Sequence, residues 1–414
     1  MIRHYYQLEF FQHSPLRIGT GFGLESNSDV IRDRRGMPFL PGSSITGLLR
    51  CMFDPGKAEA LFGFVHSKGE VRESQVLVSD GTLPDDAQVR VSIRDGVGLN
   101  ERKTAKPRAK YDFQTVETDK PYRAVLELTD ETYKPELDAA LARWVAQGVS
   151  VGARTTRGYG RMEVSVRERG FSLPDDLKTW LSFDPFAEGA FRDCPLWEPI
   201  PVKEDDRLVL QATLCIQGSF SVRTNTCVPM EPGNTVSPDT VPMENREGKP
   251  VIPGTSWAGA FLHRMRALAE DLGLGEEAKS EIDALFGTEQ EETCRSRICF
   301  SETALTDSQR MWVTRTAIER YTAAPRHRAL FTSEVALGGT GALTITLPKD
   351  SSARLKGLLG AALCDLHLGL FGVGGENGIG RGAVSITGLR VNGADRTQSL
   401  LDCNIADIWK EDAQ

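Results

Sequence analysis

Pro41-Gly42-Ser43-Ser44-Ile45-Thr46-Gly47 returns later in the chain as Pro253-Gly254-Thr255-Ser256-Trp257-Ala258-Gly259, an offset of 253 − 41 = 212 residues. Three further pairs keep the same order. Ala60-Leu61-Phe62-Gly63 matches Ala284-Leu285-Phe286-Gly287. Thr104-Ala105, Pro107-Arg108 and Phe113 match Thr322-Ala323, Pro325-Arg326 and Phe331. Gly152 and Gly158-Tyr159-Gly160-Arg161 match Gly372 and Gly378-Ile379-Gly380-Arg381. One glycine-rich match is weak, but four in register imply a duplicated domain, and the repeat decides how the rest of the chain is read.

Each half begins with an alternating strand (5–18 and 208–216) and a polar loop (19–36 and 223–248). The Pro-Gly-Ser/Thr-Ser turn then opens an apolar helix (45–53 and 257–268), with the hydroxyl pair where an N-cap belongs. A short β-rich stretch (74–78 and 297–300) precedes a basic segment that reads as an extended hairpin. A strand (123–128 and 342–347), a helix (137–147 and 353–368), the glycine loop and a last strand (161–166 and 383–386) complete the half. The expected fold class is α+β: two tandem ferredoxin-like domains, each with a large insertion. The expected boundaries are 1–169 and 207–395. Between them lies a connector, 170–206, whose prolines and tryptophans suit packing on a domain rather than free linkage. The tail, 396–414, reads as a short acidic segment, ordered only in part.

The 414 residues hold no apolar run of the roughly 18–20 residues a membrane span needs, and residues 1–6 lack a signal peptide's apolar stretch; a soluble cytoplasmic protein is expected. Eight scattered cysteines form no Cys-x-x-Cys pair and suit buried thiols in a reducing compartment. The six histidines show no motif, and no nucleophile elbow, phosphate loop or dinucleotide fingerprint is present. Net charge is −8, which argues against generic nucleic-acid binding, but the charge is uneven. From Arg94 to Arg123 eight basic residues, among them Arg108, face five acidic ones; from Arg315 to Arg328 four arginines and His327 face Glu319 alone. A local basic track on an acidic protein still holds a phosphate backbone.

Three sets of residues suit that chemistry. Ser43 and Ser44, and Thr255 and Ser256, open helices whose free N–H groups attract phosphate, unless they are simply caps. The glycine loop joins close backbone approach to Arg154, Arg157 and Arg161, with Tyr159 available to stack a base; the second copy keeps Arg381 but less charge, and is expected to matter less. The loops before each Pro-Gly turn carry Asp29 and Asp33, and Asp239 and Glu244. A loop carboxylate beside bound RNA can hold Mg²⁺ or Mn²⁺, although for most loop acids solvation is the whole explanation.

Taken together, Val30-Ile31-Arg32-Asp33, Pro38 through Arg50, and Arg157-Gly158-Tyr159-Gly160-Arg161 resemble the RAMP superfamily of CRISPR-associated proteins, over nearly the whole chain as two fused copies. The likeness is greatest to the repeating backbone subunits of type III effector complexes, and the fused pair resembles the tandem subunit of III-D-like systems. The resemblance implies RRM-like (RAMP) palms that cradle guide RNA (crRNA), with Arg50, Arg108 and Arg326 among the RNA contacts. It implies a thumb hairpin in each half (94–123 and 315–331) that splays the guide–target duplex, and partner effector subunits. It also implies metal-dependent cleavage of target RNA by a loop Asp, which would make the chain an endoribonuclease. The leading Asp of the family pattern falls on Asn27, so in the first half Asp29, with Asp33 second, is expected to act as catalytic and metal residue, or that half cuts weakly. In the second half Asp239 holds the register of Asn27 (239 − 27 = 212). The alternatives are a structural subunit without catalysis, a guide-processing endoribonuclease of the same superfamily, and an assembly protein that binds no RNA. Sequence specificity is expected to come from base pairing to the guide.

Overall fold

The computed structural model describes residues 2–21, 23–65, 69–100, 104–200, 206–224, 238–287 and 294–410. His66, Arg102, Lys103, Cys227 and the rest of 225–237 in the polar loop lie outside them, as do 201–205 of the connector and the last four residues of the tail.

The first domain runs β1 (Ile2–Gln12), α1 (Gly42–Arg50), α2 (Pro55–Phe62), β2 (Val76–Val78), the hairpin strands β3 (Val89–Leu99) and β4 (Ala105–Thr118), β5 (Tyr122–Leu128), α3 (Lys134–Gln147), β6 (Val149–Ser150) and β7 (Arg161–Ser172). Period-two alternation sends Tyr6, Leu8 and Phe10 of β1 to one side, where they are fully buried with Ile45 and Leu49 of α1 and Leu137, Leu141 and Trp144 of α3. Each such side chain contributes about 1.5–3 kcal/mol on burial, and this is why the helices lie on that face. β1 pairs antiparallel with β5 and β7, and the sheet order is β2-β5-β1-β7-β6. Counting the four core strands in chain order gives 4-1-3-2, the ferredoxin-like arrangement. The hairpin is inserted between the second and third of them.

The connector follows, with α4 (Leu177–Leu181). Its Phe191, Phe183 and Trp180 pack on Tyr5, Val125 and Phe171, and Trp180 Nε1 donates to Tyr5 Oη at 3.0 Å. It therefore covers the outward face of the first sheet with an aromatic core of its own.

The second domain repeats the plan: β8 (Arg207–Gln217), α5 (Gly254–Asp271), α6 (Gly275–Phe286), β9 (Cys299–Phe300), the hairpin strands β10 (Gln309–Ile318) and β11 (Pro325–Leu337), β12 (Thr340–Pro348), α7 (Ala353–His367), β13 (Ala383–Val391) and β14 (Ala394–Asp395). The sheet order is β9-β12-β8-β13-β14, the same 4-1-3-2 core. The tail forms α8 (Thr397–Leu401) and α9 (Ile405–Ile408), whose Leu400 and Ile408 are buried in the second core. By compactness the first unit is Met1–Ser92, Phe113–Thr155 and Tyr159–Glu204; the second is Asp205–Gln414 together with Ile93–Asp112 and Thr156–Gly158.

Backbone hydrogen bonds fix which residues of the two halves correspond. Gly160 N–H donates to Pro15 O and Val151 N–H to Gly160 O, while Gly382 N–H donates to Ser219 O and Val373 N–H to Gly382 O. Gly160 therefore answers to Gly382 (382 − 160 = 222), not to Gly380, and the sequence match of the glycine loops is two residues out of register. The backbone angles agree: φ is 85° at Gly152 and 91° at Gly374, 61° at both Arg154 and Glu376, and 83° at Gly158 and 85° at Gly380. In the hairpins, Arg108 and Arg328 share φ of 56° and 57°, so Arg108 corresponds to Arg328 (328 − 108 = 220) rather than to Arg326. Gln114 N–H donates to Ser28 O, and Glu334 N–H, 334 − 114 = 220 residues on, to Thr240 O. Ser28 thus answers to Thr240, Asn27 to Asp239, and Asp29 to Val241.

Candidate nucleic-acid interface

The Pro-Gly turns come first. The hydroxyl pairs are not caps: Pro41 and Pro253 hold the N-cap positions without a side-chain hydrogen bond, and Ser43, Ser44, Thr255 and Ser256 lie in the first helical turn. The N–H of Gly42 at the start of α1 already donates to Asp80 Oδ1 at 2.7 Å, so a carboxylate of the same domain sits where a phosphate was expected. A side chain at residue 42 would come within 2.6 Å of Val78 O, and one at residue 254 within 2.3 Å of Arg157 O and 2.4 Å of Phe300 O. Both glycines are there for close backbone packing.

The first glycine loop is also turned inward more than its letters suggest. Tyr159 is buried, edge-on to Phe113 at 5.8 Å between ring centroids, and so cannot stack a base. Arg157 donates to Phe286 O (2.9 Å), Ile298 O (3.3 Å) and Ser296 Oγ (3.0 Å), three partners of the second unit. Arg161 Nη2 donates to Gln147 O at the C-terminal end of α3, and Arg50 Nη1 to Gly63 O at the end of α2. Arg154 lies over the Phe113 ring at 5.1 Å, with Arg17 over the same ring at 4.4 Å. Arg381 is buried and paired with Glu376.

The hairpins carry what remains exposed. On the second, Trp312, Tyr321 and Phe331 present aromatic surface, and Arg320, Arg326, His327 and Arg328 are exposed around the tip. On the first, Lys106, Arg108 and Lys110 are exposed. Aromatic faces interleaved with cations suit unpaired bases and their phosphates. The outward face of the first sheet is not a stacking platform, because the connector covers it and Arg3–Glu127 and Arg123–Glu9 ion pairs cross it.

The loop acids differ sharply. Asp29 Oδ2 accepts from the N–H of Leu24 (2.6 Å) and Glu25 (3.1 Å), and Oδ1 from the N–H (2.9 Å) and hydroxyl (2.8 Å) of Ser26. The Ser26 hydroxyl foremost, with those N–H groups, holds its pKa below the ordinary carboxylate value. At Asp33 burial opposes ionisation, but Arg35 Nε at 2.8 Å and the N–H groups of Met37 and Arg35 outweigh it and the pKa is again lowered. Both carboxylates organise their own loop. Asp239 is exposed at the hairpin base, where Oδ2 accepts from Thr332 N–H at 2.8 Å and its own N–H donates to Thr332 O. Among the described residues no three or more His, Cys, Asp and Glu side chains converge as a metal cage. Asp239 fits the sparse mode in which a hard cation takes one carboxylate and completes its shell with water and substrate phosphate; Asp29, with both oxygens used, does not.

The RAMP superfamily profile matches residues 13–163 and 214–385, together well over half of the sequence. The chain belongs to the RAMP superfamily. Each matched stretch is one RAMP domain, with its inserted hairpin and its glycine loop. Among solved structures, a chain in the cryo-EM structure of the type III-B Cmr-beta complex bound to cognate target RNA is similar at 20% identity and a TM-score of 0.33, over 41% of this RAMP chain and 61% of that one. The RAMP chain thus spans about three fifths of that protein's length. The comparison with curated proteins returned no match. No helix among the described residues is long and apolar enough to cross a membrane.

In the sequence Arg315 stands out only as part of a charge run and Arg223 only as a loop boundary, yet both converge on the second glycine loop. The one signal in the letters is Glu376, the single acid in that loop.

Proposed function

We propose that this RAMP chain is a tandem backbone subunit of a type III CRISPR effector, which binds a guide RNA and its target along the two hairpins and cuts target RNA at the second domain only. The observation that carries the reading is the pairing of Asp239 with Asn27: the same backbone position, at the base of the same inserted hairpin, has a carboxylate in one domain and an amide in the other. Asp239 would hold Mg²⁺ or Mn²⁺, which supplies Lewis-acid polarisation of a phosphate when bound. The chain's own part is to present that carboxylate, fixed by Thr332 N–H, beside a base splayed on Trp312 or Phe331. Exposed Arg326 and Arg328 would hold the flanking phosphates.

The test is cleavage of a labelled RNA complementary to the guide, by the complex assembled with its neighbouring subunits. Asp239→Ala should abolish a product band while RNA binding persists, and Asn27→Asp should add a second band. Cleavage unchanged by Asp239→Ala would move catalysis elsewhere and leave a binding-only subunit.

A further inference from the structure

At the left-handed position where the first glycine loop has Arg154, the second has Glu376, with φ 61° in both. Three guanidinium groups surround that one carboxylate. Arg381 Nη1 bonds Oε2, Arg315 Nη2 bonds Oε1 at 2.6 Å, and Arg223 Nη2 stands 3.7 Å from Oε1. They come from three segments: the strand Arg223–Thr224, the second half of β10, and the loop's exit into β13. One carboxylate cannot neutralise three cations, and two formal positive charges remain. The guanidinium of Arg315 is used only in part, since its Nε is buried without a hydrogen-bond partner. Burial pushes the Arg381 pKa below its ordinary value; Glu376 pulls it back, and Arg315 and Arg223 lower it further. A side chain at Gly375 would stand 3.3 Å from Arg223 Nη2, so its absence keeps that group approachable.

A carboxylate whose role is to offset charge needs one or two cations. Three, with a buried unused donor and the most exposed arginine only loosely engaged, have the donor count and spare charge for a phosphate. We propose that the second glycine loop is a phosphodiester-binding site closed by its own carboxylate: Glu376 occupies the arginine cluster until an RNA phosphate displaces it. The proposal rests on the RNA-binding function proposed for the hairpins and adds a gate to it. In the first domain the matched position carries a cation, so no such gate exists there.

The test uses the full chain, a labelled single-stranded RNA and inorganic tripolyphosphate. Glu376→Gln should bind RNA about fivefold tighter at low salt, with a salt slope steeper by about 0.7 for each further phosphate engaged. Affinity and slope equal to wild type, while Arg326→Ala with Arg328→Ala weakens binding, would overturn the gate and leave the RNA-binding function standing. If Glu376→Gln fails to fold, Arg223→Ala decides: weaker binding with a shallower slope supports the site, and wild-type behaviour sinks it. If no variant binds RNA, the functional reading fails, and the melting temperature in tripolyphosphate decides the site alone. A rise that Arg223→Ala removes supports it; no rise overturns it.

Discussion

At the scale of single residues, function and architecture separate by what each side chain's atoms are already doing. Asp29 stands close to the family's acid in sequence, but the four hydrogen bonds to its carboxylate close its own loop. Asp29→Ala should therefore speed amide exchange at Leu24, Glu25 and Ser26 and leave cleavage intact. Loss of a product band in that variant would restore it as a catalytic residue. The pH dependence has a fixed sign. The folded pKa lies below the unfolded one, so its contribution is fully present above the ordinary carboxylate range near 4 and is lost as pH falls through the folded value. The protection factors of these amides, with exchange corrected for its intrinsic slowing by acid, should fall on acidification before global unfolding. Tyr159 gives the same lesson: an aromatic between glycines resembles a stacking residue, but only the fold reveals Phe113 beside it.

At the scale of elements, the hairpins and the Pro-Gly helices were legible because their signals are local. Alternation, proline and charge survive in single letters, and the helix register of 212 agrees with the backbone pairing. The glycine-loop register was not legible. Gly158-x-Gly160-Arg161 and Gly378-x-Gly380-Arg381 are the same string, whereas equivalence depends on which carbonyl each N–H reaches and on the sign of φ. Nor was the tail, because a short acidic segment says nothing of the partners that bury Leu400 and Ile408. For the second hairpin, Arg326→Ala with Arg328→Ala should lower RNA affinity uniformly across sequences and reduce the salt slope by about 1.4, two single-strand contacts. Trp312→Ala should cost about 1–3 kcal/mol of binding if a base stacks there, measured by fluorescence titration at fixed salt.

At the scale of the whole molecule, the second compact unit depends on pieces that precede it in sequence. Arg94 is buried and forms a two-armed ion pair with Glu302, and Arg157 satisfies the Phe286 and Ile298 carbonyls. Removing one partner of a buried pair costs about 3–5 kcal/mol, so Arg94→Ala should lower the melting temperature markedly, and residues 207–414 expressed alone should not fold stably. Co-expression with 1–200 should restore a cooperative transition. The covalent joining of the two copies has a further effect, visible in Asn27 against Asp239 and Arg154 against Glu376. A subunit that repeats as separate identical chains must carry every substitution at every place it occupies. Once two copies share one polypeptide, first and second become heritable addresses, and a silent position beside an active one can be inherited as a fixed pair. On the proposal that Asp239 is the acting acid, the fused gene fixes which of the two matched positions stays silent.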